Sequence, residues 1–203
     1  MTVPAPPLGF RLLYVCVANV CRSVLAERLT RRGVAVRLGD RAESFHIGSA
    51  GTEAMPGRDM HPYVHHALQA RGADGAGFAS RRLTTGLVSG SDLVLTATAA
   101  ERDRAIELVP AGLRRTFTIR EFARLAHHAD PPPVHPSPLP DLADDARVAV
   151  AAAHGMRGQV PYVDPADEDI PDPEPTRAAF EQCAASLAAW LEPVLAALCR
   201  RPA

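Results

Sequence analysis

The segment Arg11-Leu12-Leu13-Tyr14-Val15-Cys16-Val17-Ala18-Asn19-Val20-Cys21-Arg22-Ser23 decides how this chain is read. Its first part, Arg11 to Val15, is a short apolar run rich in β-formers, the pattern of a buried strand. A tight loop follows, and from Ser23 to Arg32 the residues Leu25, Ala26 and Leu29 share one helical face. Ser23 suits the N-cap, Glu27 lies in the early turns where acid is favoured, and Gly33 is the expected stop. A strand, a tight loop and a helix open a βαβ unit.

The pattern continues outward. Strands are expected at Ser44 to Gly48, Asp92 to Thr96 and Arg115 to Ile119. Helices are expected at His61 to Arg71, about Ala99 to Leu108, Glu121 to His127, Asp141 to His154 and about Thr176 to Cys199, with Pro193 bending or splitting the last. Strands alternating with helices predict an α/β fold, a parallel sheet covered by helices on both faces. One domain over 1–203 is expected, with a Pro-rich and helical insertion at 128–160, since six prolines between Pro131 and Pro140 suit neither helix nor central strand. That segment reads as an exposed loop or polyproline stretch, a spacer or a partner-binding surface.

Composition removes several classes. All 22 basic residues are Arg, against 23 acidic ones, so the net charge of −1 offers no field for nucleic acid or a membrane surface. No apolar run approaches the ~20 residues that span a bilayer. Met1 to Gly9 lacks the basic start and apolar core of a secretion signal. Four cysteines do not make a disulfide framework, so a reduced, cytoplasmic protein is expected. His65-His66 and His127-His128 read as surface helix residues. No second ligand pair stands at metal spacing, so neither a metal nor a cofactor is expected.

Cys16 and Arg22 form a Cys-x5-Arg arrangement whose value comes from its place between strand and helix. Backbone N–H groups of Val17 to Ser23 can converge there on one anion, and the following helix adds its positive end. Arg22 adds a bidentate clamp for phosphate oxygens, and the same field favours the thiolate of Cys16. Asn19 is the single Asn of the chain. It suits a left-handed backbone position and a bond across the loop.

Val15 to Ser23, followed by Ala26-Glu27, resembles the signature of the low-molecular-weight protein tyrosine phosphatase family. Ser49-Ala50-Gly51-Thr52 resembles the family's second-loop motif, Ser91 to Thr96 its third strand, and Asp169-Ile170-Pro171-Asp172-Pro173 its acid loop. The resemblance covers about 12–126 and 168–199. It implies a four-stranded parallel sheet with flanking helices, the Pro-rich insertion preceding the acid loop. It also implies a phosphatase acting on phosphomonoesters, with a phosphorylated protein, chiefly phosphotyrosine, as substrate. In that mechanism Cys16 forms a cysteinyl-phosphate, Arg22 and the phosphate-binding loop Val17, Ala18, Asn19, Val20, Cys21, Arg22 and Ser23 hold the phosphoryl group, and Asp172 is the acid. Asn19, Ser23 and Ser49 would fix the loop.

Alternatives stay open. Asp164-Pro165 is a second Asp-Pro. Cys21 is either inert or the disulfide partner of Cys16. An arsenate reductase would share the loop but needs further redox cysteines, and Cys183 and Cys199 lie on the terminal helix. A phosphoprotein-binding module without turnover is the non-enzyme reading. Four departures from the family pattern matter, the last two for substrate. Ala18 replaces a common Gly and needs a negative φ. Val24 replaces a common Pro. Glu174 replaces a common aromatic, and Met55 is the nearest substitute for a missing aromatic cleft residue. Val20 is apolar where members acting on phosphoarginine resemble Thr, which favours phosphotyrosine.

Overall fold

The computed structural model describes residues 9–129 and 142–199. Strands β1 (Phe10–Cys16), β2 (Phe45–Gly51), β3 (Leu93–Thr96) and β4 (Thr116–Thr118) form one sheet in the order β2-β1-β3-β4. All three pairings are parallel: Leu12 stands beside Ile47 on one side and Leu93 on the other, and Val94 stands beside Thr116. Helices are α1 (Arg22–Leu38), α2 (Pro62–Gln69), α3 (Thr85–Ser89), α4 (Ala99–Leu108), α5 (Ile119–His128), α6 (Leu142–Gly155) and α7 (Arg177–Leu198).

The two-residue period of β1 divides the core. Phe10, Leu12 and Tyr14 pack with α1, α2, α5, α6 and α7 on one face. Leu13 and Val15 pack with Val94, Val88 and Ala105 on the other, under α3 and α4. Both parities are buried, which is why the strand reads as an unbroken apolar run. The chain leaves β1 toward β2 on one side, and β3 and β4 lie on the other. The crevice at the carboxyl end of β1 is therefore a topological switch point, where open α/β sheets bind ligands.

Several expected boundaries shift, each for a physical reason. Gly33 does not end α1. A Cβ there would lie 2.4 Å from Leu195 Cδ1, so this glycine admits α7 against α1, and the helix ends at Gly39, whose φ is 58°. Ser23 is not the N-cap. Cys21 holds that position with no side-chain cap, which leaves the first-turn N–H groups of α1 unclaimed by any side chain. α7 is one continuous helix through Pro193, held by buried Leu187, Leu191, Val194, Leu195 and Leu198. α3 has no counterpart in the sequence reading; it is a single short turn capped by Thr84. Of the expected insertion 128–160, residues 130–141 lie outside the described residues, and α6 packs against α5, α7 and β1.

Leu187 of α7 is fully buried in the core that α7 shares with α1, α2 and α5. Leu187→Ala is expected to lower unfolding stability by about 3 kcal/mol, through lost burial plus the cavity left behind. Urea unfolding followed by circular dichroism measures it.

Candidate active site

The chain turns sharply after Cys16, and Asn19 makes the turn. Among the described residues it is the one non-glycine with positive φ, at 53°, and it is fully buried. Ala18 accordingly keeps a negative φ, and its missing hydrogen in place of Gly costs nothing.

Asn19 also organises its neighbours. Its Nδ2 donates to Ser23 Oγ at 2.9 Å and to Ser49 Oγ at 2.8 Å, and its Oδ1 accepts from the Arg81 backbone N–H at 2.8 Å. Ser49 in turn donates its hydroxyl to Glu27 Oε2 at 2.5 Å. Glu27 is buried, and its other oxygen lies 2.9 Å from Arg31 Nη2 and 3.5 Å from Arg28 Nε. Since Ser23 Oγ already accepts from Asn19, its hydroxyl proton is available to Cys16 Sγ, 2.9 Å away. A hydroxyl donating to sulfur suits a thiolate.

The second-loop segment Ser49 to Thr52 supports this turn from below. Thr52 N–H bonds Cys16 O at 3.0 Å and Glu53 N–H bonds Val17 O at 2.9 Å. Gly51 is pressed so close that a Cβ would lie 2.4 Å from Val17 O and 2.8 Å from Asn19 N. Only glycine permits that approach.

Arg22 is buried at the mouth of α1 and is met from two sides. Its Nε lies 2.7 Å from Asp172 Oδ1, an ion pair whose N–H direction is not that of a hydrogen bond. Its Nη1 donates to Ile170 O at 3.0 Å. Behind it, Glu101 Oε1 stands 3.8 Å from Nη2. Glu101 is itself buried and fixed by Thr98, whose N–H and hydroxyl both donate to its Oε2. The acid segment is pinned by backbone: Ile170 N–H bonds Ala97 O at 2.8 Å, and Asp169 Oδ1 accepts from Ala99 N–H at 2.7 Å at the start of α4. Asp172 remains exposed at its tip.

Asp164 is used elsewhere, capping a short 3-10 turn through Ala166 N–H at 2.9 Å. The four cysteines are free thiols. Cys199 sits apart near Tyr14 and Arg37. Burial raises Cys199 to about 11.

The family comparison decides the class. The model of the low molecular weight phosphotyrosine protein phosphatases matches residues 11–135. The chain belongs to this phosphatase family. It is an enzyme, a cysteine-dependent phosphatase. Among its relatives, a protein-arginine-phosphatase of Geobacillus stearothermophilus is 26% identical over 115 residues, which are 57% of this chain and 72% of that one. A probable low molecular weight protein-tyrosine-phosphatase, EpsP, of Ralstonia nicotianae is 28% identical over 111 residues, 55% of this chain and 71% of that one. In fold, this phosphatase is similar to the YwlE arginine phosphatase of Geobacillus stearothermophilus, with a TM-score of 0.62, 20% identity, and coverage of 92% of this chain and 90% of the other. Among the described residues, no helix of this phosphatase is long and apolar enough to cross a membrane.

Sequence reasoning missed three residues of this phosphatase's site. Glu27 was read as a helix-start acid, not as a buried acceptor. Arg81 and Glu101 lie in other elements, with no spacing that links them to the loop.

Proposed function

We propose that this phosphatase hydrolyses phosphotyrosine on proteins through a cysteinyl-phosphate on Cys16, with Arg22 as phosphoryl clamp and Asp172 as acid and then base. The observation that carries this reading is the convergence of three separate segments. Cys16 is held by Ser23 and Asn19, Arg22 stands at the start of α1, and Asp172 is drawn onto Arg22 at 2.7 Å.

Cys16 Sγ attacks phosphorus in line with the leaving oxygen. The guanidinium of Arg22 and the loop N–H groups take the charge of the equatorial oxygens. The substrate phosphate replaces the carboxylate of Asp172 on Arg22, freeing Asp172 to protonate the leaving phenolate. Water, deprotonated by Asp172, then attacks the cysteinyl-phosphate, and phosphate leaves as Cys16 regains its thiolate. Apolar Val20, half-buried in the loop, supports an aromatic ester over a guanidine.

One observation favours a second reading, phosphoarginine. Glu174, exposed two residues past Asp172, supplies an acid where a ring wall would stand, and one relative is named an arginine phosphatase. Matched peptides carrying phosphotyrosine or phosphoarginine separate the two. Phosphotyrosine is expected to show the higher kcat/KM, and the reverse order replaces the substrate assignment.

Asp172→Asn is expected to lower kcat by about 10²- to 10³-fold on phenyl phosphate, and by less on p-nitrophenyl phosphate, whose leaving group needs little protonation. Asp164→Asn is expected to leave both rates unchanged. If Asp164→Asn is the impaired variant, the acid has been misassigned.

A further inference from the structure

Glu101 is a buried carboxylate with no part in the steps just described. It sits in the first turn of α4, where it closes a capping box with Thr98. Its Oε2 takes both donors of Thr98, the N–H at 2.6 Å and the hydroxyl. Its Oε1 accepts no hydrogen bond among the described residues, and Arg22 Nη2 stands 3.8 Å from it. A capping box needs only one of the two oxygens. The other is left facing the phosphoryl clamp.

Arg22 is thus met by two carboxylates of different kinds. Asp172 Oδ1 lies 2.7 Å from its Nε, on a side chain that is 69% exposed. The side chain of Glu101 is 4% exposed, and that of Arg22 is 5% exposed. Asp172 must leave Arg22 to reach the leaving oxygen, whereas Glu101 is tied to a helix start by two hydrogen bonds. The same helix start seats the acid segment, through Ala99 N–H on Asp169 Oδ1 and Ala97 O on Ile170 N–H. When phosphate displaces Asp172, Glu101 therefore stays. Glu101 and Arg22 are both buried, so their interaction is little screened. The carboxylate offsets part of the field that the guanidinium presents to the loop. A phosphate dianion on the loop feels that offset more than the exposed, singly charged Asp172 does. Substrate and product phosphate are both held less tightly as a result. Tighter ground-state binding would lower KM without raising kcat.

We propose that Glu101 is a positioning residue that acts through Arg22, the fixed counter-charge that holds the affinity of the loop for phosphate below what Arg22 alone would give. This rests on the phosphatase reading in taking Arg22 as the phosphoryl clamp.

Glu101→Gln separates the charge from the cap, because glutamine also serves in a capping box. Calorimetric titration of the full-length, reduced protein with inorganic phosphate reads affinity without turnover. Expected in Glu101→Gln is a Kd at least about threefold lower than in wild type. KM for p-nitrophenyl phosphate is expected to fall by a like factor, with kcat no higher. Glu101→Ala removes the cap as well, so it is expected to melt lower and still to bind phosphate more tightly than wild type. Glu107→Gln removes an exposed charge from the same helix, and its Kd is expected to stay within about twofold of wild type. A residue that only capped α4 would leave Kd and KM unmoved in Glu101→Gln, and one that only braced Arg22 would raise both on removal. Either result overturns the proposal. Wild-type turnover keeps the two readings apart. A protein that hydrolyses phosphotyrosine peptides, with Kd unmoved in Glu101→Gln, sinks only the counter-charge. A lower Kd in Glu101→Gln of a protein that hydrolyses none of them sinks only the phosphotyrosine reading.

Discussion

Cys16→Ser is expected to lower turnover of p-nitrophenyl phosphate by at least about 10⁴-fold while leaving the fold intact. That factor is about 5 kcal/mol of transition-state stabilisation. A serine hydroxyl fits the place of the thiol, which is 2% exposed, and it retains a partner in Ser23. What it lacks is ionisation: among the described residues its hydrogen-bond partner is a hydroxyl rather than a histidine or other base. Arg22 and the loop N–H groups are untouched, so inorganic phosphate should still raise the melting temperature of the variant. Turnover within tenfold of wild type would remove Cys16 as the nucleophile.

The second large effect is expected at Gly51, outside the loop that binds phosphate. Gly51→Ala places a methyl 2.4 Å from Val17 O and 2.8 Å from Asn19 N. Both are backbone atoms, so no rotamer relieves the clash, and either β2 or the loop must move. A stability loss of about 3 kcal/mol follows from overpacking. A displacement of ~1 Å at the loop costs about 100-fold in kcat. Gly86→Ala is the control: it lies within α3, where a Cβ would meet only Thr84 Oγ1 at an ordinary 3.9 Å, and it should match or slightly exceed wild type in stability. Thermal unfolding and steady-state kinetics on both variants decide the matter, and unchanged kinetics in Gly51→Ala would show that the loop does not rest on β2.

The sheet and most helices could be read from the chain because local signals and tertiary demands agree there. β1 is apolar on both parities because helices cover both its faces. α4 begins and ends where expected because Thr98 and Glu101 form a capping box and Pro110 follows its end. Gly33 misled because a helix-ending glycine and a helix-packing glycine look alike until Leu195 is placed against it. Of the site, Cys16, Arg22, Asn19 and Ser23 lie within eight residues and carry a pattern. Ser49 and Asp172 were reached through motifs. Glu101 and Arg81 join the loop from 58 or more residues away, through contacts that no local period announces.

The arginines that looked like background composition have a use at the rim of the sheet. β2 is one of its two outer strands, and the carbonyls of Ile47 and Ser49 face away from β1. Arg31 gives both Nε and Nη2 to Ile47 O, at 3.0 and 2.6 Å, and Arg81 gives both to Ser49 O, at 3.1 and 2.9 Å. An uncovered row of carbonyls is a template on which another chain can add a strand and begin to aggregate. Here two charged forks occupy those acceptors, and each fork is also tied to the loop network, Arg31 through Glu27 and Arg81 through Asn19. The contacts that hold the phosphate-binding loop in shape therefore also keep neighbouring molecules from zipping onto the sheet.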